Sequence, residues 1–515
     1  MLNRLRKTRA LVLCVGAAVL VTASPALAHP VPAVTWGACS QLPAELECAK
    51  LDVPLDYRAP ASGSLTIDVS RLKATGGKGR ELLLLNPGGP GGEGIGLPMA
   101  FKDNAIAAKF EVVGFNPRGT GSSLLDCGTG PEPGLPVTRP TEEQIRQYTL
   151  DARRRERACQ QAGGAVRRHI NTPNAARDMD VIRAALGGKK INYLGFSYGT
   201  YLGAVYGSLF PHRMNRSVFD SSMNPDWLYY EQAKQQAVSA RQNFRTWSAW
   251  AAEHDAQYGF GATATAVQST MDNLGQRLAR KPLVVQGAPH PIDRNALDIV
   301  LGSQTPNRAA WDVFAATIKK VRDAAASGTL DLDTAKAIGL MLDDLRIGLG
   351  LLHSGAFATV TCEADWSRDT RLYADQMRHF AAIYPYGRGA HAAAASECAF
   401  RSFTPPEPMV NLRRAGYPTG LVVQGDHDPV TGYAGGPVMA SRMGYRLVSV
   451  VDSGVHGHYA RNDCVTKVID AYLVDGVLPA NGTACAAAPR PVPAASSSGS
   501  LEDRIRDVLA TSRAR

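Results

Sequence analysis

The sequence lacks three patterns that would each point to a large functional class. Its nine cysteines are spread through 515 residues without one C-x-x-C pair, which argues against a cysteine-based metal site. No basic block is interleaved with aromatic residues, which argues against nucleic-acid binding. Apart from residues 10–23, no apolar run approaches the length of a membrane-spanning helix. We therefore expect no metal, no nucleic-acid partner and no stable membrane anchor.

The formal net charge of +10 overstates how basic the folded body is. Four of the positive charges lie in residues 1–28, and the stretch after Cys485 contributes a net two more. The remaining excess is small and scattered along the chain, so the charge does not indicate a polyanionic partner.

Residues 1–28 have the features of an export signal. Four basic residues between positions 4 and 9 precede the apolar run, and Ala26-Leu27-Ala28 supplies a small-x-small cleavage pattern. The alternative, a retained anchor, is disfavoured because the run is too short for a stable transmembrane helix. We expect the mature protein to be secreted.

Removal of that segment leaves eight cysteines, an even number for an oxidising compartment. They occur as four close sequential pairs, and we expect each pair to form a disulfide: Cys39 with Cys48, Cys127 with Cys159, Cys362 with Cys398, and Cys464 with Cys485.

Short apolar, β-rich runs alternate with helical patterns through most of the chain. The runs cover residues 65–69, 81–85, 110–115, 190–194, 216–220, 420–424 and 446–451. This alternation predicts a mainly parallel sheet with helices on both faces. Between them, residues 226–405 show few strand signals and mostly helical periodicity, which indicates a helical insertion.

The pentapeptide Gly195-Phe196-Ser197-Tyr198-Gly199 lies between a predicted strand and a predicted helix. A serine on such a turn is held with its hydroxyl exposed above the sheet, next to free N–H groups of the helix N-terminus. The pentapeptide alone is not decisive, because a serine in a glycine-rich turn also matches by chance. Its context has to support the catalytic interpretation.

A serine hydroxyl is a poor nucleophile unless a base takes its proton and an acid orients that base. After a G-x-S-x-G turn, the acid and then the histidine follow in chain order. The strand 420–424 leads into Asp428, which we choose as the acid because Pro429 turns the chain there. Asp426, as a turn-capping residue, and Asp220, at the end of an earlier strand, are the alternatives.

The strand 446–451 leads into a segment with two histidines, His456 and His458. We choose His456 as the base and keep His458 as the alternative. A His-x-His metal site would need a third ligand, which the sequence does not indicate.

A glycine cluster, residues 86–94, directly follows the strand 81–85. From Gly89 to Gly94 it matches the dinucleotide fingerprint G-x-G-x-x-G, but it contains Pro90 and no acidic ribose partner follows. The loop after this strand can instead donate one of two N–H groups to an oxyanion, and we assign that role to Gly89. The second N–H group is that of Tyr198, the residue after the predicted nucleophile. No cofactor is expected.

Four segments together resemble one family. They are Pro87-Gly88-Gly89-Pro90-Gly91, residues 116–123, residues 195–200 and Asp428-Pro429-Val430-Thr431. In this order they resemble the signatures of the secreted tripeptidyl aminopeptidases, relatives of proline iminopeptidase within the α/β-hydrolases. The similarity spans nearly all of residues 35–485.

The resemblance implies an α/β-hydrolase fold with an inserted helical cap. The expected organisation is a signal peptide over residues 1–28, the core over 29–225 and 406–486, the cap over 226–405, and a disordered tail over 487–515, with a short helix at 501–509.

The resemblance also implies a serine peptidase that releases short peptides from free N-termini through an acyl-enzyme. One alternative is a carboxylesterase or amidase that acts on small acyl compounds or natural products. Another is a non-catalytic binding protein on the same fold, which the ordered Ser, Asp and His disfavour.

An aminopeptidase must neutralise the α-ammonium group of its substrate, normally with carboxylates. Glu363 and Asp365, beside a cysteine that a disulfide would hold, are candidates for this role, although ordinary solvated charges would look the same. Trp227, Tyr229 and Tyr230 are candidates for lining the pocket, with core packing as the alternative.

Overall fold

A ten-stranded mixed sheet forms the centre of the fold. The structure is a computed structural model that describes residues 33–76, 81–128, 134–350, 354–493 and 499–514; the expected export signal lies outside them. The strands are β1 Gly37–Ala38, β2 Leu46–Pro54, β3 Ser64–Leu72, β4 Glu81–Asn86, β5 Phe110–Phe115, β6 Ile191–Phe196, β7 Met214–Asp220, β8 Leu421–Gly425, β9 Arg446–Val451 and β10 Ala484–Ala486.

The strand order is β1-β2-β3-β5-β4-β6-β7-β8-β9-β10. The pairs from β5 through β10 are parallel, and the pairs that join β1, β2, β3 and β5 are antiparallel. All seven predicted strands are present, and the mainly parallel α/β-hydrolase sheet is confirmed. The sequence did not indicate β1, β2 or β10.

The helices are α1 Ala105–Lys109, α2 Glu142–Gly163, α3 Thr172–Ala185, α4 Tyr198–Leu209, α5 Tyr230–Glu253, α6 Asp255–Tyr258, α7 Ala264–Arg280, α8 Arg294–Gln304, α9 Trp311–Ser327, α10 Leu332–Gly350, α11 Gly355–Val360, α12 Thr370–Ile383, α13 Gly435–Met443, α14 Asp463–Asp470 and α15 Leu501–Ala514.

Both faces of the sheet are covered. In β4, Leu82 and Leu84 belong to the core that packs on α3, α4 and α13, and Leu83 and Leu85 to the core that packs on α1 and α14. Successive side chains of a strand point to opposite faces, so a continuous leucine run fits a strand buried on both sides.

The segment between β7 and β8 contains helices α5 to α12. It has its own hydrophobic core, in which Trp247, Trp250 and Trp311 are fully buried. The first of these helices also contacts the sheet domain: Gln232 donates to the carbonyl of Val430, at 2.8 Å.

The C-terminal residues differ from the expected disorder. Helix α15 packs Leu501, Ile505 and Leu509 into the core of the helical segment, because these residues share one face of the helix. The Asp333 carboxylate on α10 accepts hydrogen bonds from the backbone amides of Leu501 and Glu502 in the first turn of α15. Arg490, in the stretch before it, pairs with Asp452 just after β9.

The four predicted disulfides are confirmed: Cys39–Cys48, Cys127–Cys159, Cys362–Cys398 and Cys464–Cys485. Within the described ranges, no single helix has the length and apolar character needed to cross a membrane. Leu332–Gly350 and Gly355–Glu363 meet that test only jointly, as a pair bent by 54°.

A buried ion pair fixes the turn that follows β5. Arg118 is 1% exposed, and its Nε and Nη2 donate to the carboxylate of Asp178 on α3 at 2.8 and 2.6 Å. Its guanidinium also donates to the carbonyls of Pro54 and Leu55 at the end of β2. One side chain therefore joins β5, β2 and α3.

We predict that Arg118→Leu lowers the free energy of unfolding by about 3–5 kcal/mol, because it leaves the Asp178 carboxylate buried and uncompensated. Unfolding in guanidinium chloride measures the effect. Arg154→Leu is the matched control, since Arg154 is 67% exposed and pairs with Asp151 on the surface of α2. Equal shifts in the two variants would contradict this account.

Candidate active site

Ser197 lies at the sharp turn between β6 and α4. Its φ is +57°, a conformation that residues with a side chain rarely adopt. The turn is tight enough that a Cβ at Gly195 would lie 2.5 Å from the carbonyl oxygen of Gly199, and one at Gly199 would lie 2.8 Å from that of Asn86. Glycine at both positions is therefore a steric requirement of this turn.

The loops after β8 and β9 bring a histidine against a carboxylate. Nδ1 of His456 lies 3.0 and 2.9 Å from the two carboxylate oxygens of Asp428, which is fully buried. With Nδ1 donating to Asp428, Nε2 remains as an acceptor for a proton.

Asp428 also accepts hydrogen bonds from its own loop. The amides of Val430 and Thr431 donate to Oδ1 at 2.8 and 2.9 Å, and the Thr431 hydroxyl donates to Oδ2 at 2.9 Å. These bonds fix the carboxylate in the orientation that meets His456. The sequence carries a signal for this role of Thr431, because Asp-x-x-Thr spacing is typical of a side chain that caps a turn.

The pair shifts both protonation equilibria. Burial disfavours the charged imidazole, but the Asp428 carboxylate outweighs it, so the pKa of His456 lies above its usual value. Burial also opposes ionisation of Asp428, but His456 and the amides of Thr431 and Val430 lower the pKa of Asp428 to about 2. Asp428 is therefore ionised at neutral pH.

His458 has a different environment. Its ring is buried beneath the end of β8, where a Cβ at Gly425 would lie 2.8 Å from Nε2. Burial lowers the pKa of His458. Its amide, rather than its ring, makes the local bond, donating to the Asp220 carboxylate at 2.9 Å. Of the two candidate bases, His456 is the one whose ring contacts Asp428.

The two alternative aspartates hold loops together. Asp220 accepts hydrogen bonds from the amides of His458 and Tyr459 through its carboxylate, and from the amide of Ser197 through its backbone oxygen, at 3.1 Å. Asp426 accepts from the amides of Asp452 and Ser453 after β9. In the part of the chain that the structure describes, neither Asp220 nor Asp426 forms a hydrogen bond with the His456 ring.

The glycine-rich loop after β4 lies against the serine turn. A Cβ at Gly88 would lie 2.8 Å from the Cβ of Ser197 and 3.2 Å from the amide nitrogen of Tyr198. Gly89 has a φ of +111°. Tyr198 is the first residue of α4, so its N–H has no acceptor within the helix. Both predicted oxyanion donors, Gly89 and Tyr198, thus belong to backbone next to Ser197.

Glu363 is buried below Tyr198. It accepts hydrogen bonds from the Thr172 amide at 2.8 Å and from the Tyr229 hydroxyl at 2.7 Å, and Thr172 in turn contacts the Tyr198 hydroxyl. Burial raises the pKa of Glu363 to about 7, although these hydrogen bonds oppose the rise. Both oxygens already have partners inside the protein.

The other candidate binding residues are dispersed. Asp365 is exposed and lines a surface cavity of about 370 Å³ that contains neither Ser197 nor His456. Trp227 lies beside the loop that carries Asp428, and its ring is 3.9 Å from where a Cβ at Gly432 would be. Tyr230 lines a separate cavity inside the helical segment. In the described part of the chain, no group of three or more His, Cys, Asp or Glu could hold a metal.

Comparison with known proteins places the chain among peptidases and esterases. Residues 384–485 match a family model described as TAP-like protein. The tripeptidyl aminopeptidase of Streptomyces lividans is 32% identical over 484 residues, covering 89% of this chain and 88% of that protein. The serine protease Hip1 of Mycobacterium tuberculosis is 26% identical (90% and 92% covered), and carboxylesterase B of the same organism is 28% identical (88% and 90% covered).

The solved structure of proline iminopeptidase from Mycobacterium smegmatis is 14% identical and covers 83% of this chain and 98% of that one, with a TM-score of 0.32. The parallel sheet, the serine turn and the similar proteins define a serine hydrolase of the α/β-hydrolase fold. Within that class, the chain belongs to the tripeptidyl aminopeptidase family.

We predict that a fluorophosphonate probe labels the wild-type protein and the His458→Gln variant but not Ser197→Ala or His456→Gln. The reason is that His456 alone of the two rings is paired with Asp428. Gel fluorescence measures the labelling, and thermal melting checks that each variant is folded. If the probe labels His456→Gln but does not label folded His458→Gln, then His458 rather than His456 is the base.

We predict that the acid limb of kcat/KM has its midpoint above pH 6.5, because the protonated imidazole is inactive and its pKa is raised above 6.5. Asp428→Asn removes the charge that raises it, so the midpoint moves to lower pH while kcat falls by about 10⁴-fold. Asp375→Asn, on the exposed surface of α12, serves as the control and leaves the profile unchanged. A midpoint that stays in place in Asp428→Asn would contradict the electrostatic cause.

Proposed function

We propose that the protein is a secreted serine aminopeptidase that releases short peptides, chiefly tripeptides, from free N-termini. The observation that carries the proposal is the pairing of His456 with buried Asp428, within a chain 32% identical to a tripeptidyl aminopeptidase over 89% of its length. The signal-like residues 1–28 and the four disulfides support action outside the cytoplasm.

In this proposal Ser197 is the nucleophile. Its Oγ attacks the carbonyl carbon of the scissile amide, while Nε2 of His456 takes the hydroxyl proton. The amides of Gly89 and Tyr198 donate hydrogen bonds to the oxyanion of the tetrahedral intermediate. The Asp428 carboxylate holds the imidazole in the required tautomer and stabilises its charged form.

The intermediate collapses when the C–N bond breaks. The imidazolium gives its proton to the departing amine, and the released N-terminal peptide remains as an ester on Ser197. A water molecule then attacks the carbonyl carbon of this ester while His456 accepts one of the water protons. The bond between that carbon and Ser197 Oγ breaks, the imidazolium returns the proton to Oγ, and the peptide leaves with a free carboxylate. The proton balance closes over the cycle without a cofactor.

A second candidate is a carboxylesterase. The specific observation in its favour is the 28% identity to carboxylesterase B, which covers 90% of that protein. The catalytic groups are the same in both proposals, because ester and amide hydrolysis share the acyl-enzyme. The difference lies in the recognition of the substrate N-terminus.

Chromogenic tripeptide anilides separate the two candidates. We predict that kcat/KM for a tripeptide 4-nitroanilide with a free N-terminus exceeds that for its acetylated form by at least about tenfold, since acetylation removes the charge that an aminopeptidase recognises. A simple nitrophenyl ester of similar size is assayed beside them. Preference for the acetylated peptide, or turnover of the ester alone, would favour the esterase.

A further inference from the structure

The helical segment, together with Arg155 of α2, lines a partly open cavity of about 90 Å³, called here the cap cavity. Aromatic side chains form much of its wall, and three charged side chains line it as well. The lining includes Tyr229, Tyr230, Phe357, Trp366, Arg388 and Glu397. A volume of this size holds more than one water molecule, at roughly 10–15 Å³ each.

The cap cavity adjoins the proposed catalytic residues through two of its walls. The ring of Tyr229 packs against that of Tyr198, the residue after Ser197, with centroids 6.5 Å apart. On another side, the amide of Phe357 lies 3.3 Å from where a Cβ at Gly91 would be, in the glycine-rich loop after β4. Two of the residues that line the cavity, Tyr229 and Phe357, are therefore neighbours of the serine turn and of the glycine-rich loop.

Arg388 lines this cavity with an incompletely paired guanidinium. Its Nη1 donates to Oε1 of Gln236 at 2.7 Å, and its buried Nε has no partner. Within the part of the chain that the structure describes, no carboxylate pairs with Arg388. Burial lowers the pKa of Arg388 to about 10, which reflects the cost of a charge without a counterion.

Two fully buried arginines, by contrast, do have carboxylate partners. Arg118 donates through two nitrogens to Asp178, and Arg167 does the same to Glu156. Inside the cap cavity itself, Glu397 forms an ion pair with Arg155. That pair is neutral, so the guanidinium of Arg388 gives the cavity an excess of one positive charge.

Arg388 is partly buried, and a guanidinium whose buried Nε has no partner and that has no carboxylate counterion in the described part of the chain is unfavourable. An anion that enters the cavity relieves this cost. The planar guanidinium suits a carboxylate, which can accept two parallel hydrogen bonds. The rings of Tyr230, Phe357 and Trp366 suit the methylene groups that carry such a carboxylate.

We propose that the cap cavity is a specificity subsite that holds an anionic side chain, aspartate or glutamate, of the peptide being released, with its carboxylate on Arg388. The assignment rests on the proposed aminopeptidase function, because it takes the acyl part of a peptide as the occupant. It adds a substrate class that the similarity to known proteins does not supply.

The test compares free-N-terminal tripeptide 4-nitroanilides in which glutamate or glutamine occupies each of the three positions in turn. In wild type, glutamate at one position should raise kcat/KM about tenfold or more over glutamine, as expected for a charge-assisted hydrogen bond. Arg388→Gln should abolish that preference while leaving cleavage of the glutamine peptides nearly unchanged. Arg388→Lys, which keeps the charge, should retain part of it.

Arg378→Gln is the matched control, because Arg378 lies on the exposed face of α12 and pairs with Glu142. It should keep the full glutamate preference. Two results overturn the subsite: a wild type that does not prefer glutamate at any position, or an Arg388→Gln variant that slows glutamate and glutamine peptides equally, as a structural role predicts.

Failure of the aminopeptidase function gives a different result, namely no cleavage of any free tripeptide by a wild type that the fluorophosphonate still labels. The subsite is then decided with esters, by comparing 4-nitrophenyl hydrogen glutarate with 4-nitrophenyl valerate. A preference for the charged ester that Arg388→Gln loses supports the anionic subsite, and no preference overturns it.

Discussion

One buried aspartate connects the parts of this active site. Asp220 ends β7, and its backbone oxygen holds the amide of Ser197 while its carboxylate holds two amides of the loop that carries His456. The turn that carries Ser197 and the loop that carries His456 are separated by more than 250 residues in sequence. Their meeting therefore depends on the parallel pairing of β6, β7, β8 and β9, which brings the carboxyl ends of these strands to one edge.

Much of this arrangement follows from the sequence, for physical reasons. Strands buried on both faces are continuous apolar runs, so β4, β5 and β8 are visible without any structure. Strand β2 cannot be recognised in this way, because it alternates buried residues with the exposed Lys50 and Asp52, which interrupt the apolar pattern. Close cysteine spacing was likewise sufficient to predict the disulfides.

The candidate site could be predicted only for the residues that follow one another at successive strand ends. Ser197, Asp428 and His456 follow from strand ends, whereas the choice between His456 and His458 needed the position of each ring relative to Asp428. The binding residues could not be found in this way. Glu363 and Asp365 are two positions apart, yet one is buried under Tyr198 and the other faces solvent, because a turn separates their directions.

Helix α15 affects the order in which parts of the protein can fold. Leu501, Ile505 and Leu509 fill part of the same hydrophobic core as Trp250 and Trp311, which lie roughly two hundred residues earlier. During synthesis or export in the N-to-C direction, the sheet and the disulfide loops can assemble before this core has its final wall. The insertion can reach its finished packing only after residue 509 has emerged, so its core closes later than the sheet can assemble.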